Sequence, residues 1–138
     1  MIKFLLKYSL FNAVLWTVII FALCATPGHF IPTNNWLELL SFDKFVHASI
    51  FFSLVCLWLV YCFHKNKFSN KITLIILISC IAYGGLLEIL QATLFSERAG
   101  DWLDFIANSF GCVMGLWFFN RFKKLIDKFE KQSKTGSK

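Results

Sequence analysis

The sequence predicts an all-α protein, an integral membrane four-helix bundle with both termini in the cytoplasm. Apolar residues make up 57% of the 138 residues and aromatic residues 18%, which is too hydrophobic for a small soluble domain. The apolar residues fall into four runs, each near the roughly 20 residues that cross a hydrocarbon core about 30 Å thick. Because backbone polar groups must be satisfied within a segment that crosses lipid, each run should be an α-helix.

Four spans are predicted along the chain. The first follows Lys3 and Lys7, as the apolar part of a signal peptide would, but it is long for a signal peptide and we expect a retained helix. The spans cover approximately residues 8–25, 45–63, 72–94 and 102–119. Together they form one membrane domain, residues 1–122, and a basic cytoplasmic tail follows over residues 123–138.

The distribution of lysine and arginine predicts the orientation. With four spans, all of the 14 lysines and arginines except Lys44 and Arg98 lie on one side of the membrane. Because cytoplasmic segments carry the excess of positive charge, both termini of this multi-pass protein are expected in the cytoplasm. The basic tail should lie against anionic headgroups, and nucleic-acid binding is not expected.

Polar side chains recur at the outer ends of the second and third spans. Asp43 and His47 are four residues apart at the start of the second span, with Lys44 between them in the sequence. Glu88 and Gln91 are three residues apart near the outer end of the third span. Residues three and four apart share one face of a helix, so each group forms a polar row.

The fourth span begins with another polar row. Asp101, Asp104 and Asn108 recur at spacings of three and four, which places them on one helical face, and Arg98 precedes them. Because an ionisable side chain in contact with lipid is unfavourable, the polar rows should turn inward and meet one another.

Glycines lie on the same helical faces as the polar rows. Gly84 is one turn before Glu88, and Gly111 and Gly115 form a GxxxG sequence that continues the row of Asp104. Small residues allow helix backbones to approach closely. We therefore predict that Gly84, Gly111 and Gly115 are helix-packing residues that bring the polar rows together.

Two interpretations of the polar rows follow. In the structural one, Glu88 is neutral or hydrogen-bonded to His47, Asn108 or Gln91, and such interhelical contacts stabilise the bundle by about 0.6 kcal/mol each on average. In the other, the rows face a ligand. The second interpretation is favoured because five acids that face two cations and one histidine exceed what a structural contact requires.

The order of these residues resembles the VanZ-like family of small bacterial membrane proteins. The resemblance covers approximately residues 27–119 and begins with Pro32 in the outer loop. Each matching fragment is common by itself, whereas the combined order and spacing are specific. The fragments are Asp43-Lys44-x-x-His47, Gly84-x-x-x-Glu88-x-x-Gln91 and Arg98-x-x-Asp101-x-x-Asp104-x-x-x-Asn108-x-x-Gly111-x-x-x-Gly115.

The resemblance implies a multi-pass bundle in the bacterial cytoplasmic (inner) membrane. Through the family's founding member, it also implies an association with low-level resistance to the glycopeptide teicoplanin. We expect a polar pocket at the outer leaflet that binds or shields an envelope component or a glycopeptide-type drug. The expected partners are the lipid bilayer and a lipid-linked or glycopeptide ligand, and an oligomer is compatible with the sequence. No cofactor and no metal are expected.

Two other functions are weighed against the binding function. The alternative is a membrane-embedded enzyme acting on an envelope lipid or a cell-wall precursor, with the acids and His47 as a general base or as ligands of a divalent cation. No HExxH or GxSxG sequence supports it. A transporter is less favoured, because the ionisable residues occupy only the outer half of four spans. The five cysteines lie in apolar runs and are expected to be buried hydrophobic residues.

Overall fold

The computed structural model describes residues 7–26, 42–95 and 100–135, with side chains described as far as residue 123. Within these residues the protein is all-helical. The four helices are α1 (Ser9–Ala25), α2 (Phe42–His64), α3 (Asn70–Thr93) and α4 (Trp102–Thr135). Each of the four predicted spans therefore falls on a helix.

Three of the four helices are long and apolar enough to cross a membrane. The qualifying segments are Phe42–His64, Asn70–Thr93 and Trp102–Lys123. Helix α1 is also apolar but has 17 residues, so its length is about 26 Å at 1.5 Å per residue. Helix α4 continues past residue 119, where the fourth span was predicted to end, and carries the first part of the basic tail as regular helix to Thr135.

Helices α2 and α4 run parallel and make the closest helix pair. Lys44 contacts Asp101 at one end, and the rings of Phe63 and Phe119 lie 6.2 Å apart near the other. A Cβ atom at Gly111 would overlap the carbonyl group of Ala48 in α2. One at Gly115 would lie 2.8 Å from the carbonyl oxygen of Phe52. The GxxxG glycines thus let the α4 backbone lie against the α2 backbone.

Helix α3 runs antiparallel to this pair and returns the chain to the end where α2 and α4 begin. The Ser69 hydroxyl accepts a hydrogen bond from the Ile72 N–H at 3.3 Å and caps the start of α3. A Cβ atom at Gly84 would lie 3.1 Å from the Phe51 ring and 3.3 Å from the Asn108 Cβ. The absence of a side chain there brings α3 close to both α2 and α4.

Helix α1 packs on α2 and α3 through hydrogen bonds from aromatic side chains. The Trp16 indole donates to the carbonyl oxygen of Ile50 at 3.1 Å. The Tyr83 hydroxyl donates to the carbonyl oxygen of Thr17 at 2.8 Å. The Trp58 indole donates to the Thr17 hydroxyl at 3.4 Å. A further hydrogen bond from the Gln91 amide to the carbonyl oxygen of Cys24 lies beyond the Tyr83 contact along both helices, so α1 is parallel to α3.

The described surface of the bundle is largely apolar. The core is small and includes Phe51, Leu54 and Leu87, whereas Ile89 and Phe110 leave 61% and 60% of their surface exposed. Exposed apolar area of this extent is unfavourable in water. The exterior of the helices is therefore consistent with contact with a lipid bilayer. Cys62, Cys80 and Cys112 are buried, as expected, whereas Cys24 and Cys56 are half-buried.

Candidate functional site

The predicted polar residues come together at the end of the bundle where α2 and α4 begin and α3 ends. We call this group the polar cluster. Its members are Asp43, Lys44, His47, Glu88, Asp101, Asp104 and Asn108. They come from three different helices and the residue before α4, so the cluster exists only in the folded bundle.

Lys44 lies at the more exposed side of the polar cluster and pairs with three carboxylates. Its Nζ atom is 2.6 Å from Asp101 Oδ2 and 3.3 Å from Asp43 Oδ2, and it also pairs with Asp104 Oδ1. The Lys44 side chain is 30% exposed and the Asp104 side chain 14%. The Lys44–Asp104 pair is thus better protected from water than the pairs with Asp101 and Asp43. Its electrostatic attraction is therefore the strongest of the three.

Asp101 links Lys44 to the start of α4. Its Oδ1 atom accepts the Leu103 N–H at 2.8 Å, as an N-cap residue does, while its Oδ2 atom binds Lys44. The hydrogen bond from Lys44 and the backbone N–H of Leu103 hold the pKa of the Asp101 carboxyl below its ordinary value. Asp101 is therefore a carboxylate at neutral pH.

Glu88 lies at the buried side of the polar cluster. Its Oε2 atom accepts the backbone N–H of Asp101 at 3.0 Å, and its Oε1 atom accepts the Asn108 amide at 3.5 Å. Glu88 is buried, with 9% of its surface exposed. A Cβ atom at Gly100 would lie 2.6 Å from the Glu88 carbonyl oxygen, so glycine there lets the loop reach α3.

His47 closes the cluster into a ring of contacts. Its Nδ1 atom lies 3.2 Å from Asn108 Oδ1. Its Nε2 atom lies 3.5 Å from Asp43 Oδ1 and 3.8 Å from Asp104 Oδ2. The ring then runs from Glu88 through Asn108 and His47 to Asp104, and returns through Lys44 and Asp101.

Part of this negative charge has a structural explanation. Asp43 and Asp104 lie in the first turns of α2 and α4, where an acid stabilises the positive end of the helix dipole. Glu88 lies more than one turn before the end of α3, so no helix dipole explains this acid. Among the described residues of the cluster there are four acidic side chains and one ammonium group, Lys44, which pairs with three of them, Asp43, Asp101 and Asp104.

Other predicted site residues lie elsewhere. Gln91 is buried on α3, but its amide donates to the carbonyl oxygen of Cys24 at 3.4 Å, so its contact is with α1. Gly84, Gly111 and Gly115 lie between the helices, as described above. Arg98 lies outside the described residues. Gly100 was not predicted as a site residue, although a glycine directly before an N-cap aspartate is a visible signal.

A cavity of about 190 Å³ opens beside the polar cluster between α3 and α4. Its surface is mostly apolar, with Ile89, Trp102 and Phe105 among the lining residues, and Glu88 and Asp101 line it next to the polar cluster. Trp102 is 81% exposed at the rim. A mostly apolar pocket that adjoins acidic residues suits an amphiphilic molecule.

The apolar surface of this cavity continues along α3 away from the polar cluster. A shallow second cavity of about 420 Å³ shares Gly85, Ile89 and Phe105 with the first and extends to Ile78. Ile78 to Glu88 is ten residues of helix, or about 15 Å at 1.5 Å per residue. The two cavities form a lateral groove that begins at the acids and ends in apolar surface.

Comparison of the chain with protein-family models, with curated proteins and with solved structures finds no match. The polar cluster and the groove beside it are therefore the features that bear on function.

Proposed function

We propose that the chain is a VanZ-like protein of the bacterial cytoplasmic membrane whose polar cluster binds or shields an envelope component or a glycopeptide-type drug at the outer leaflet. It forms a four-helix membrane bundle with both termini in the cytoplasm. The polar cluster then lies at the outer mouth of the bundle, where an amphiphile in the outer leaflet reaches it from the side.

The membrane placement is supported by three apolar helices and by charge. The segments Phe42–His64, Asn70–Thr93 and Trp102–Lys123 meet the length and hydropathy of membrane spans. Helix α1 has 17 residues and is short for a membrane span. It spans the membrane where the bilayer is locally thinner, or where its flanking residues lie in the membrane interface. The excess of lysine and arginine at the other end of the bundle supports cytoplasmic termini.

The observation that carries the binding function is the continuity of the polar cluster with the lateral groove. Glu88 and Asp101 belong to the cluster and also line the cavity that opens between α3 and α4. A polar headgroup at these acids would place its hydrocarbon portion against Ile89 and Phe105. The Lys44 side chain is 30% exposed, so its ammonium group would also contact an anionic part of the same headgroup.

An enzyme acting on an envelope lipid or a cell-wall precursor is the second candidate. It is favoured by one observation, the position of His47 Nε2 at 3.5 Å from Asp43 and 3.8 Å from Asp104. An imidazole beside carboxylates is a common general base. Incubation of purified protein with membrane lipids, followed by mass spectrometry of the products, separates the two functions, because a binding protein leaves the lipids unchanged.

The binding function is tested by drug susceptibility with and without expression of the protein. We expect expression to raise tolerance to teicoplanin, and Glu88→Ala and Asp104→Ala to abolish that tolerance at unchanged protein level. Ser109→Ala is the matched control, because within the described residues the Ser109 hydroxyl bonds inside its own helix, to the carbonyl oxygen of Phe105. Full tolerance in both acid variants would contradict the proposal.

A further inference from the structure

Three atoms of metal-ligand type converge within the polar cluster. Asp43 and His47 come from α2 and Asp104 from α4, and their ligand atoms all lie within 4.8 Å of one another. Asp43 and Asp104 are brought together by the parallel packing of two helices, so no sequence motif marks the group.

The hydrogen on the His47 ring is assigned by its neighbours. Asn108 directs its amide nitrogen toward the Glu88 carboxylate at 3.5 Å, so its Oδ1 atom faces His47 Nδ1 at 3.2 Å. An amide oxygen only accepts, so Nδ1 must donate. In the neutral imidazole the other nitrogen, Nε2, then presents a lone pair.

That lone pair faces two carboxylate oxygens. Nε2 is 3.5 Å from Asp43 Oδ1 and 3.8 Å from Asp104 Oδ2, which is too far for good hydrogen bonds. Ligands bound tetrahedrally at about 2.1 Å are about 3.4 Å from one another, so these separations are close to the edges of a coordination shell. Three electron-pair donors that face one another call for a cation between them.

Lys44 does not occupy this position. It binds Asp43 through Oδ2 and Asp104 through Oδ1, whereas the oxygens that face His47 are Oδ1 and Oδ2 respectively. It also pairs with Asp101, whose Oδ2 atom lies 2.6 Å from the Lys44 Nζ atom. The Lys44 charge is thus shared with a third carboxylate, and two negative charges remain to balance a divalent ion.

We propose that Asp43, His47 and Asp104 form a binding site for a first-row divalent cation such as Zn²⁺ or Mn²⁺. One imidazole and two carboxylates suit these ions better than Mg²⁺ or Ca²⁺, which take oxygen ligands. Asn108 orients the imidazole through Nδ1, as an outer hydrogen-bond partner of a metal-bound histidine does. Three protein ligands leave coordination positions open toward the cluster. The site does not depend on which amphiphile enters the groove.

The test is metal binding by the full chain purified in detergent and freed of metal with a chelator. Calorimetry with Zn²⁺ and with Mn²⁺ should give one equivalent per chain, and Mg²⁺ should not compete at equal concentration. Asp43→Asn, Asp104→Asn and His47→Asn should each weaken binding at least tenfold, and His47→Asn retains an N–H group for Asn108. Asp101→Asn is the matched control, because it makes the same charge change beside Lys44, and we expect less than a threefold effect.

A second measurement uses the native ligands. In a chain carrying His29→Gln and His64→Gln, His47 is the only histidine, and nitrogen NMR of its ring follows the ion directly. One equivalent of Zn²⁺ should shift the Nε2 resonance and leave Nδ1 as the protonated nitrogen. An unshifted Nε2 resonance would overturn the proposal, as would equal Zn²⁺ affinity in the Asp104→Asn and Asp101→Asn proteins.

Discussion

The substitution Gly111→Ala tests whether the polar cluster depends on the close packing of α2 and α4. The added methyl group would overlap the carbonyl group of Ala48, and both atoms belong to or are fixed by helix backbone. Restoring van der Waals separation requires the helices to move apart by about 1 Å. Lys44 and His47 would then lose their present distances to Asp101 and Asn108.

Two opposing effects determine how much Gly111→Ala changes the free energy of unfolding. Overpacking against a backbone that cannot yield should destabilise by about 3 kcal/mol, at the upper end of the usual range. Replacing glycine by alanine within a helix recovers about 1 kcal/mol of helix propensity. We therefore expect Gly111→Ala to lower the free energy of unfolding by about 2 kcal/mol.

Gly85→Ala is the matched control. Its Cβ atom would lie 3.2 Å from the Phe105 ring, which is a side chain and can rotate away, so the net change should be near zero. Unfolding of both variants in mixed micelles of a mild detergent and dodecyl sulfate, followed by circular dichroism, gives the comparison. If Gly111→Ala is as stable as Gly85→Ala, the tight α2–α4 contact is refuted.

Three further predictions concern hydrogen bonds and charge. Tyr83→Phe should lower the free energy of unfolding by about 1 kcal/mol, since it removes the hydroxyl that binds the Thr17 carbonyl oxygen; micelle unfolding measures it. Glu88→Gln should lower it by about 1–3 kcal/mol, because an amide cannot accept from both donors that the carboxylate now satisfies. The pKa of Asp101 is lower in the folded protein, so the stabilisation by Lys44 is present above the ordinary aspartate pKa and is lost as the pH falls through the lowered value. Asp101→Asn should remove that acid-dependent step from a series of unfolding curves between neutral and strongly acidic pH; an unchanged step would refute the assignment.

Most of the fold is predictable because hydrophobic length is a strong signal. The four predicted spans coincide with the four described helices, and the third differs from α3 by two residues at its start and one at its end. The end of α4 is not predictable from hydropathy, since the helix continues beyond residue 119 through polar sequence. The lysines and phenylalanines after residue 119 are compatible with a helix, so the helix continues although the apolar run has ended.

The meeting of the polar rows is also predictable, because helical spacing and the unfavourable exposure of ionisable groups to lipid both turn them inward. The individual contacts are not. Glu88 accepts from the backbone N–H of Asp101, a contact that depends on Gly100 and on the path of the loop. Gln91 shares the helical face of Glu88, yet it reaches α1, because the position of α1 cannot be read from spacing on α3.

The convergence of Asp43, His47 and Asp104 is even harder to predict from the sequence. The two helices are parallel, and their relative translation is set by Gly111 against Ala48. A shift of one turn along either helix, about 5.4 Å, would separate the three ligand atoms. Helix register thus decides whether two carboxylates and an imidazole form a cation site or an ordinary polar row.

Photocrosslinking from the groove tests the central claim most directly. A benzophenone amino acid in place of Phe105 lies in the lateral groove, and the same replacement at Phe110, which is 60% exposed, samples the outer surface of α4. After irradiation in membranes, mass spectrometry identifies the molecules attached at each position. The account predicts one envelope amphiphile enriched at position 105, with the enrichment lost in Asp104→Asn. The same mixture of bulk lipids at both positions would contradict it.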